Sequence, residues 1–334
     1  MDLSTAPLSY RDPARDRKRD SEFSSNSQHG EKQSFTIGIC ATGIAENLPR
    51  LLELVTTDSF PSNFTLERVI VVASGCNEKS LDLVRSYVKR DSRLVLIEEN
   101  ERRGKADAIN KIVDQTVGNF LVFVNSDALP LKGSIAKLLQ AISKSRTIGV
   151  VSGRPVLRLR RGITSSVEEF MWAVHNECSS KLNHMDVSNH GSDEMMIVRT
   201  ELLNRLPEGL VNDGAYISGR ARLNGYSIKF SQDAAVLVDV PERQVDLIRQ
   251  RERIIFGHFQ VWQLTGKSPK TIETLMLHSP MLSLAIVVRT VARNPKLIKA
   301  IPAAFAGEVV SILLAFRDAF SSTKKHRVWA RYGN

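Results

Sequence analysis

FTIGICATGIAENLPRLLELV, residues 35–55, decides how the rest of the chain is read. Its first seven residues form a short apolar run with β-branched members, the pattern of a buried strand. Leu48, Leu51, Leu52 and Val55 then recur at i, i+3, i+4 and i+7, the stripe of an amphipathic helix. The unit repeats. VIVVA (69–73) leads to a helix carrying Leu81, Val84 and Val88, and LVLI (94–97) leads through a charged loop to Ala106, Ile109 and Val113. FLVFV (120–124) leads to Ile135, Leu138, Leu139 and Ile142, and GVVSG (149–153) closes the series. Near-continuous apolar strands separated by amphipathic helices imply an α/β fold with a parallel-rich, doubly wound sheet flanked by helices.

In such sheets ligands gather at the carboxyl ends of the strands, where loops converge and helix N-termini point at one place. FVNSDALP (123–130) therefore raises a question, because the fourth apolar run ends on Asn125, Ser126 and Asp127. An Asx-type turn that merely ends the strand is one reading, and a carboxylate facing a ligand is the other. The loop ERRGKADAIN (101–110) sets Arg102, Arg103 and Lys105 around Gly104 just before a helix, with positive charge and backbone N–H groups suited to a diphosphate.

Taken in order, IGICATGIAENLPRLL, VIVVASGCNEKS, NERRGKADAIN, FVNSDALP, GLVNDGAYISGRARLNGY and RQRERIIFGH resemble the inverting nucleotide-sugar glycosyltransferases of family 2, which have the GT-A fold. The resemblance covers nearly the whole chain after residue 34. Asp127 matches the metal-binding acid of the family's Asp-x-Asp element, with Asn125 in the first position. A divalent metal, magnesium or manganese, is therefore implied, and one carboxylate plus substrate phosphate oxygens can hold such a cation. Ala73 and Ser74 stand where the family carries an acidic pair, so nucleotide contacts fall to Ser74, Thr42 and Gly43. Arg103, Lys105 and Asn110 match the family's donor-binding segment. Asp213 matches the general base, and its place ahead of AYISGRARL also suits helix capping, worth about 1 kcal/mol. Gln250 and Arg253 match the Gln-x-x-Arg element, with Ile254 in place of its tryptophan.

The resemblance implies a nucleoside-diphosphate sugar donor and a glycan or lipid-linked acceptor. A catalytically degenerate sugar-binding or scaffold protein of the same fold is the alternative. The charge of +10 suggests anionic partners, but no aromatic platforms accompany the basic residues, so nucleic acid is not expected. Residues 1–33 are polar and charged without an apolar run and read as a disordered tail, followed by a transferase domain over 34–240 and a helical region over 241–334. Three scattered cysteines fit a reducing cytoplasm.

In the helical region, residues 280–292 and 297–316 are the most apolar stretches. Lys299, Pro302 and Glu308 interrupt the second, which favours packing on the domain or lying on the cytoplasmic face of a membrane over spanning it. The basic end around Trp329 also suits a headgroup region. His175, Cys178, His184 and His190 follow no zinc spacing, and His190 is a candidate acceptor contact.

Overall fold

The computed structural model describes residues 32–43, 47–158, 162–320 and 326. The expected tail lies outside the described residues up to position 31, as does the basic end apart from His326. From Gln33 onward the chain forms one compact unit.

Eight strands make one sheet in the order β3-β2-β1-β4-β7-β6-β8-β5. These are β1 (Gln33–Gly43), β2 (Phe64–Cys76), β3 (Leu94–Glu99), β4 (Phe120–Asn125), β5 (Ala128–Pro130), β6 (Ile148–Leu157), β7 (Met195–Arg199) and β8 (Ser227–Val238). The first four pair in parallel. β7 then enters antiparallel between β4 and β6, and β6 pairs in parallel with β8. The sheet is thus mixed and mostly parallel.

Successive residues of the central strands bury on opposite faces, as the two-residue side-chain period requires. Phe120, Val122 and Val124 join one core with helices α1 (Leu48–Thr57) and α4 (Ser134–Ile142). Leu121 and Phe123 join the other with α3 (Lys105–Gln115) and α6 (Asp213–Leu223). Helix α2 (Glu78–Val88) sends Val84 to the first core. Because both faces are covered, the strands read as unbroken apolar runs rather than alternating ones.

A third core gathers α5 (Ile163–His184), α7 (Gln244–Thr265), α8 (Ile272–His278), α9 (Pro280–Arg293) and α10 (Ile301–Phe320). No break between compact units falls at 240/241, since α7 packs on both α6 and α10. Glu308, the charge that interrupts the apolar run of α10, is paired with Arg251 of α7 at 2.9 Å. Arg251 is therefore not on a solvated face: Glu308 and Glu273 both hold it. The other side of α10 carries exposed Phe305, Leu313 and Phe316, and residues 295–320 are long and apolar enough to cross a membrane by length and composition.

Candidate active site

The carboxyl ends of the parallel strands bring their last residues to one edge. Register sets Thr42 of β1 beside Ser74 of β2, and Cys40 of β1 beside Asn125 of β4. These residues, with Ser126 and Asp127, line a cavity of about 200 Å³. Gln250 and Arg253 of α7 close it from the other side. Asp127 lines this cavity, and Asp213, 86 positions further on, is linked to it through Lys105, which also lines the cavity.

Helix α3 starts at this edge. Its N-cap Gly104 has φ 110°, a conformation that L side chains rarely adopt. Lys105 follows, and its Nζ lies 2.6 Å from Asp193 Oδ2 and 3.2 Å from Asp213 Oδ1. Lys105 was expected to face a diphosphate; it lines the cavity, but its ammonium is held by these two carboxylates. Asp213 opens α6, whose cap is the preceding residue: Asn212 accepts from the Ala215 amide at 3.1 Å. Asp213 is 4% exposed. Burial raises its pKa, Lys105 opposes that rise, and Asp193 adds to it.

Of the other expected donor contacts, Arg103 is exposed and does not line the cavity, whereas Arg102 does. Gly75, at φ +60°, explains the difference: a Cβ there would lie 2.7 Å from Arg102 Cγ, so the missing side chain is what lets the Arg102 stem lie against β2. Gly43 ends β1 with φ 61° and lies just beyond the lining. Asn110 turns away altogether. Its amide donates to the Leu206 carbonyl at 3.0 Å and its carbonyl accepts from the Leu206 amide at 2.7 Å, which spends both groups on holding the 206 loop.

The NSD segment combines both of its readings. Ser126 and Asp127 form a turn before β5, and Asn47 fixes it by donating to the Asp127 carbonyl at 3.1 Å. The Asp127 side chain is exposed into the cavity. Asn125 donates to Glu194 Oε2 at 3.2 Å.

Asp193 and Glu194 were not anticipated from the sequence. They lead into β7, and because β7 runs antiparallel its amino end arrives at the edge where the parallel strands finish. Burial first, then Asp193 and Asp127, push the Glu194 carboxyl up to about 8. Cys40, also on this wall, is no nucleophile, since burial pushes its thiol up to about 12.

The family pattern described as Glycosyl transferase family 2 matches residues 36–206 of the 334. The chain belongs to glycosyltransferase family 2. Glycosyltransferase AglE of Haloferax volcanii is 25% identical over 240 residues, covering 70% of this glycosyltransferase and 75% of that protein. The poly-beta-1,6-N-acetyl-D-glucosamine synthase of Staphylococcus epidermidis is 20% identical over 240 residues, 70% of this chain and 57% of the synthase. Against the Staphylococcus aureus synthase the match covers 48% of its length, so this chain spans about half of the staphylococcal enzymes. Among solved structures, a mannosyltransferase from Pyrobaculum calidifontis in complex with GDP-Man and Mn2+ superposes with a TM-score of 0.54 at 19% identity, over 94% of this chain and 89% of that one. The shared fold is GT-A.

A second, larger cavity of about 430 Å³ adjoins the first in this glycosyltransferase, and the two share Asp193, Glu194, Gln250 and Ile254. His175, His190 and His258 stack edge to face within it, with ring centroids 6.1 and 5.3 Å apart. Burial holds all three pKa values below the usual imidazole range. Cys178 lines the same cavity as part of the third core, whereas the exposed His184 bonds the Ser180 carbonyl of its own helix. Among the described residues, one group with ligand atoms close enough to hold a metal is Glu252, Asp318 and His326, where Arg317 already pairs with Asp318 at 2.8 Å.

Glu168, 4% exposed on the wall of the larger cavity, has its carboxyl pushed up to about 7 by burial, against the pull of Arg251. A raised carboxyl contributes stability that is full below the unfolded glutamate pKa and lost as pH rises through the folded one. Between about pH 5 and about pH 8 the protein should lose about 2 kcal/mol from this group. Glu168→Gln should remove that loss, as urea midpoints at the two pH values would show; an unchanged pH dependence would clear Glu168 of the effect.

Proposed function

We propose that this glycosyltransferase transfers a sugar from a nucleoside-diphosphate donor to an acceptor hydroxyl by a single displacement that inverts the anomeric carbon. The observation that carries this reading is the convergence of Asp127, the Lys105-linked pair Asp193 and Asp213, Gln250 and Arg253 at one edge of the sheet. The donor occupies the smaller cavity. Its nucleotide lies near Thr42 and Ser74, and the buried Ser74 hydroxyl makes no hydrogen bond among the described residues. Its diphosphate faces Arg102, Arg253 and the amino end of α3.

The donor set suits a divalent cation. Asp127 and Glu194 face the same cavity, and the Asp127 charge raises the cost of ionising Glu194. Oxygen ligands of this kind fit magnesium or manganese. Glu194, held by Asn125 across the β4–β7 pair, supplies the second carboxylate that Asn125 itself lacks. Such an ion would neutralise charge developing on the departing diphosphate. Glu194→Gln should weaken manganese binding in calorimetric titration about tenfold, and unchanged binding would remove Glu194 from the metal site.

In the reaction Asp213 takes the proton of the acceptor hydroxyl as its oxygen bonds to the anomeric carbon. The bond from that carbon to the diphosphate oxygen breaks on the opposite face, and the nucleoside diphosphate leaves with the electron pair. A raised pKa suits a base, because the proton transfer is less uphill. One observation favours a second reading in which Asp193 is the base: its side chain is 33% exposed against 5% for Asp213, and it lines both cavities.

The exposed apolar side of α8 to α10, including Leu277 and Met281, supports contact with the surface of a membrane on the cytoplasmic side. The test of the function is a panel of nucleotide sugars, scored for metal-dependent release of nucleoside diphosphate and for the anomeric configuration of the product by NMR. A retained configuration, or release unaffected by chelation, would overturn the inverting or the metal-dependent part respectively.

A further inference from the structure

The larger cavity has two ends of unlike chemistry. Its inner end is polar and shares Asp193, Glu194 and Gln250 with the smaller cavity, so whatever fills it touches the reacting centre. Its outer part runs between α5, α9 and α10 along Phe170, Met171, Val287 and Ala304. Met276, Leu284 and Phe305 line its mouth and are 53%, 57% and 61% exposed. Large apolar side chains left open to water around a cavity of this size are the usual signature of an apolar ligand.

The charge of the walls narrows the class. Glu168, Asp193, Glu194, Glu273 and Glu308 face it against Arg251 and Lys270, and Arg251 is already taken by Glu273 and Glu308. Five carboxylates stand against Lys270 as the one lining cation outside that pairing among the described residues, so the walls disfavour an anionic group. Uncharged hydrogen-bonding capacity is available instead: His175 Nε2 and His258 Nε2 are buried in the wall without a hydrogen-bond partner among the described residues. Sugar hydroxyls can satisfy both, since each can donate and accept.

We propose that this cavity binds the acceptor as an uncharged amphiphile, with a hydroxyl-bearing glycosyl head at the Asp193 end and a hydrocarbon tail between α5, α9 and α10. This rests on the transferase reading for what the head does. The binding itself does not, so the two can fail separately.

The test uses the full chain and n-alkyl glucosides below their micelle concentrations, titrated calorimetrically without donor. Affinity should rise about threefold with each methylene from hexyl to octyl, and octyl phosphate should bind at least tenfold more weakly than octyl glucoside. Affinity independent of chain length, or octyl phosphate binding as tightly, would overturn the proposal. Phe305→Asp and Met276→Asp, both at exposed positions, should each weaken octyl glucoside about tenfold and leave nucleotide titration unchanged. Octyl glucoside binding untouched by either substitution would overturn it as well. Loss of nucleotide binding in the wild-type protein, with chain-length dependence intact, would instead count against the donor assignment alone.

Discussion

Asp213→Asn is expected to lower sugar transfer roughly 10²–10⁴-fold while nucleotide-sugar binding survives. The substitution keeps the shape of the side chain, and Asn212 still caps α6 through the Ala215 amide. Lys105 retains Asp193 as a partner, so no buried cation is stranded. What disappears is the group proposed to take the acceptor proton. Asp193→Asn is the companion measurement. If Asp193 only holds Lys105 in place, that variant should lose far less activity than Asp213→Asn and should leave the pH dependence of kcat where it was. A deep loss in Asp193→Asn with near-normal transfer in Asp213→Asn would move the base to the more exposed carboxylate. Equal and negligible effects in both would end the general-base mechanism at this edge.

Those two carboxylates differ in how far the sequence could reveal them. Asp213 stands in a segment that resembles a family motif, beyond the matched residues 36–206, and opens a helix, and Asp127 ends an apolar run; each position has a local signal. Asp193 and Glu194 have a local signal too, two acids set against the apolar run MMIV, but its meaning depends on strand direction. In a parallel strand the residues before the run sit at the far side of the sheet. Only the antiparallel insertion of β7 between β4 and β6 carries them to the site, and that pairing joins residues some 70 positions apart, such as Val124 and Met195. Short-range periodicity has no access to it.

The helical region shows the same limit. Gln250, Ile254 and His258 recur every four residues and all line the larger cavity, a stripe that was present in the sequence. Arg251, between them, carries no local sign of burial, because its partner Glu308 lies 57 residues further on. A buried ion pair between distant helices is visible only once the packing is known. Arg102 and Arg103 are a finer case: two adjacent identical side chains, one on the cavity and one in solvent, separated by the space that Gly75 leaves.

Gly257→Ala is the second substitution with a large expected effect, and it tests the close seating of α7 on the start of α6. A Cβ at position 257 would lie 2.7 Å from Asn212 Cβ and 3.1 Å from the Asn212 backbone nitrogen. Both are anchored at the start of α6, so α7 itself must move. Two effects oppose each other. Alanine improves helix propensity by about 1 kcal/mol, while forcing a carbon into a packed contact costs about 1–3 kcal/mol. The clash is with backbone and a short side chain rather than a flexible tip, so the cost should win and the melting temperature should fall. Activity should suffer more than stability. Gln250 and Arg253 sit on α7, Asp213 follows Asn212 directly, and a displacement near 1 Å between them is worth about 100-fold in rate. A Gly257→Ala protein that melts higher and transfers sugar normally would mean that α7 stands off from Asn212, and that Gln250 and Arg253 reach the cavity from a different seat.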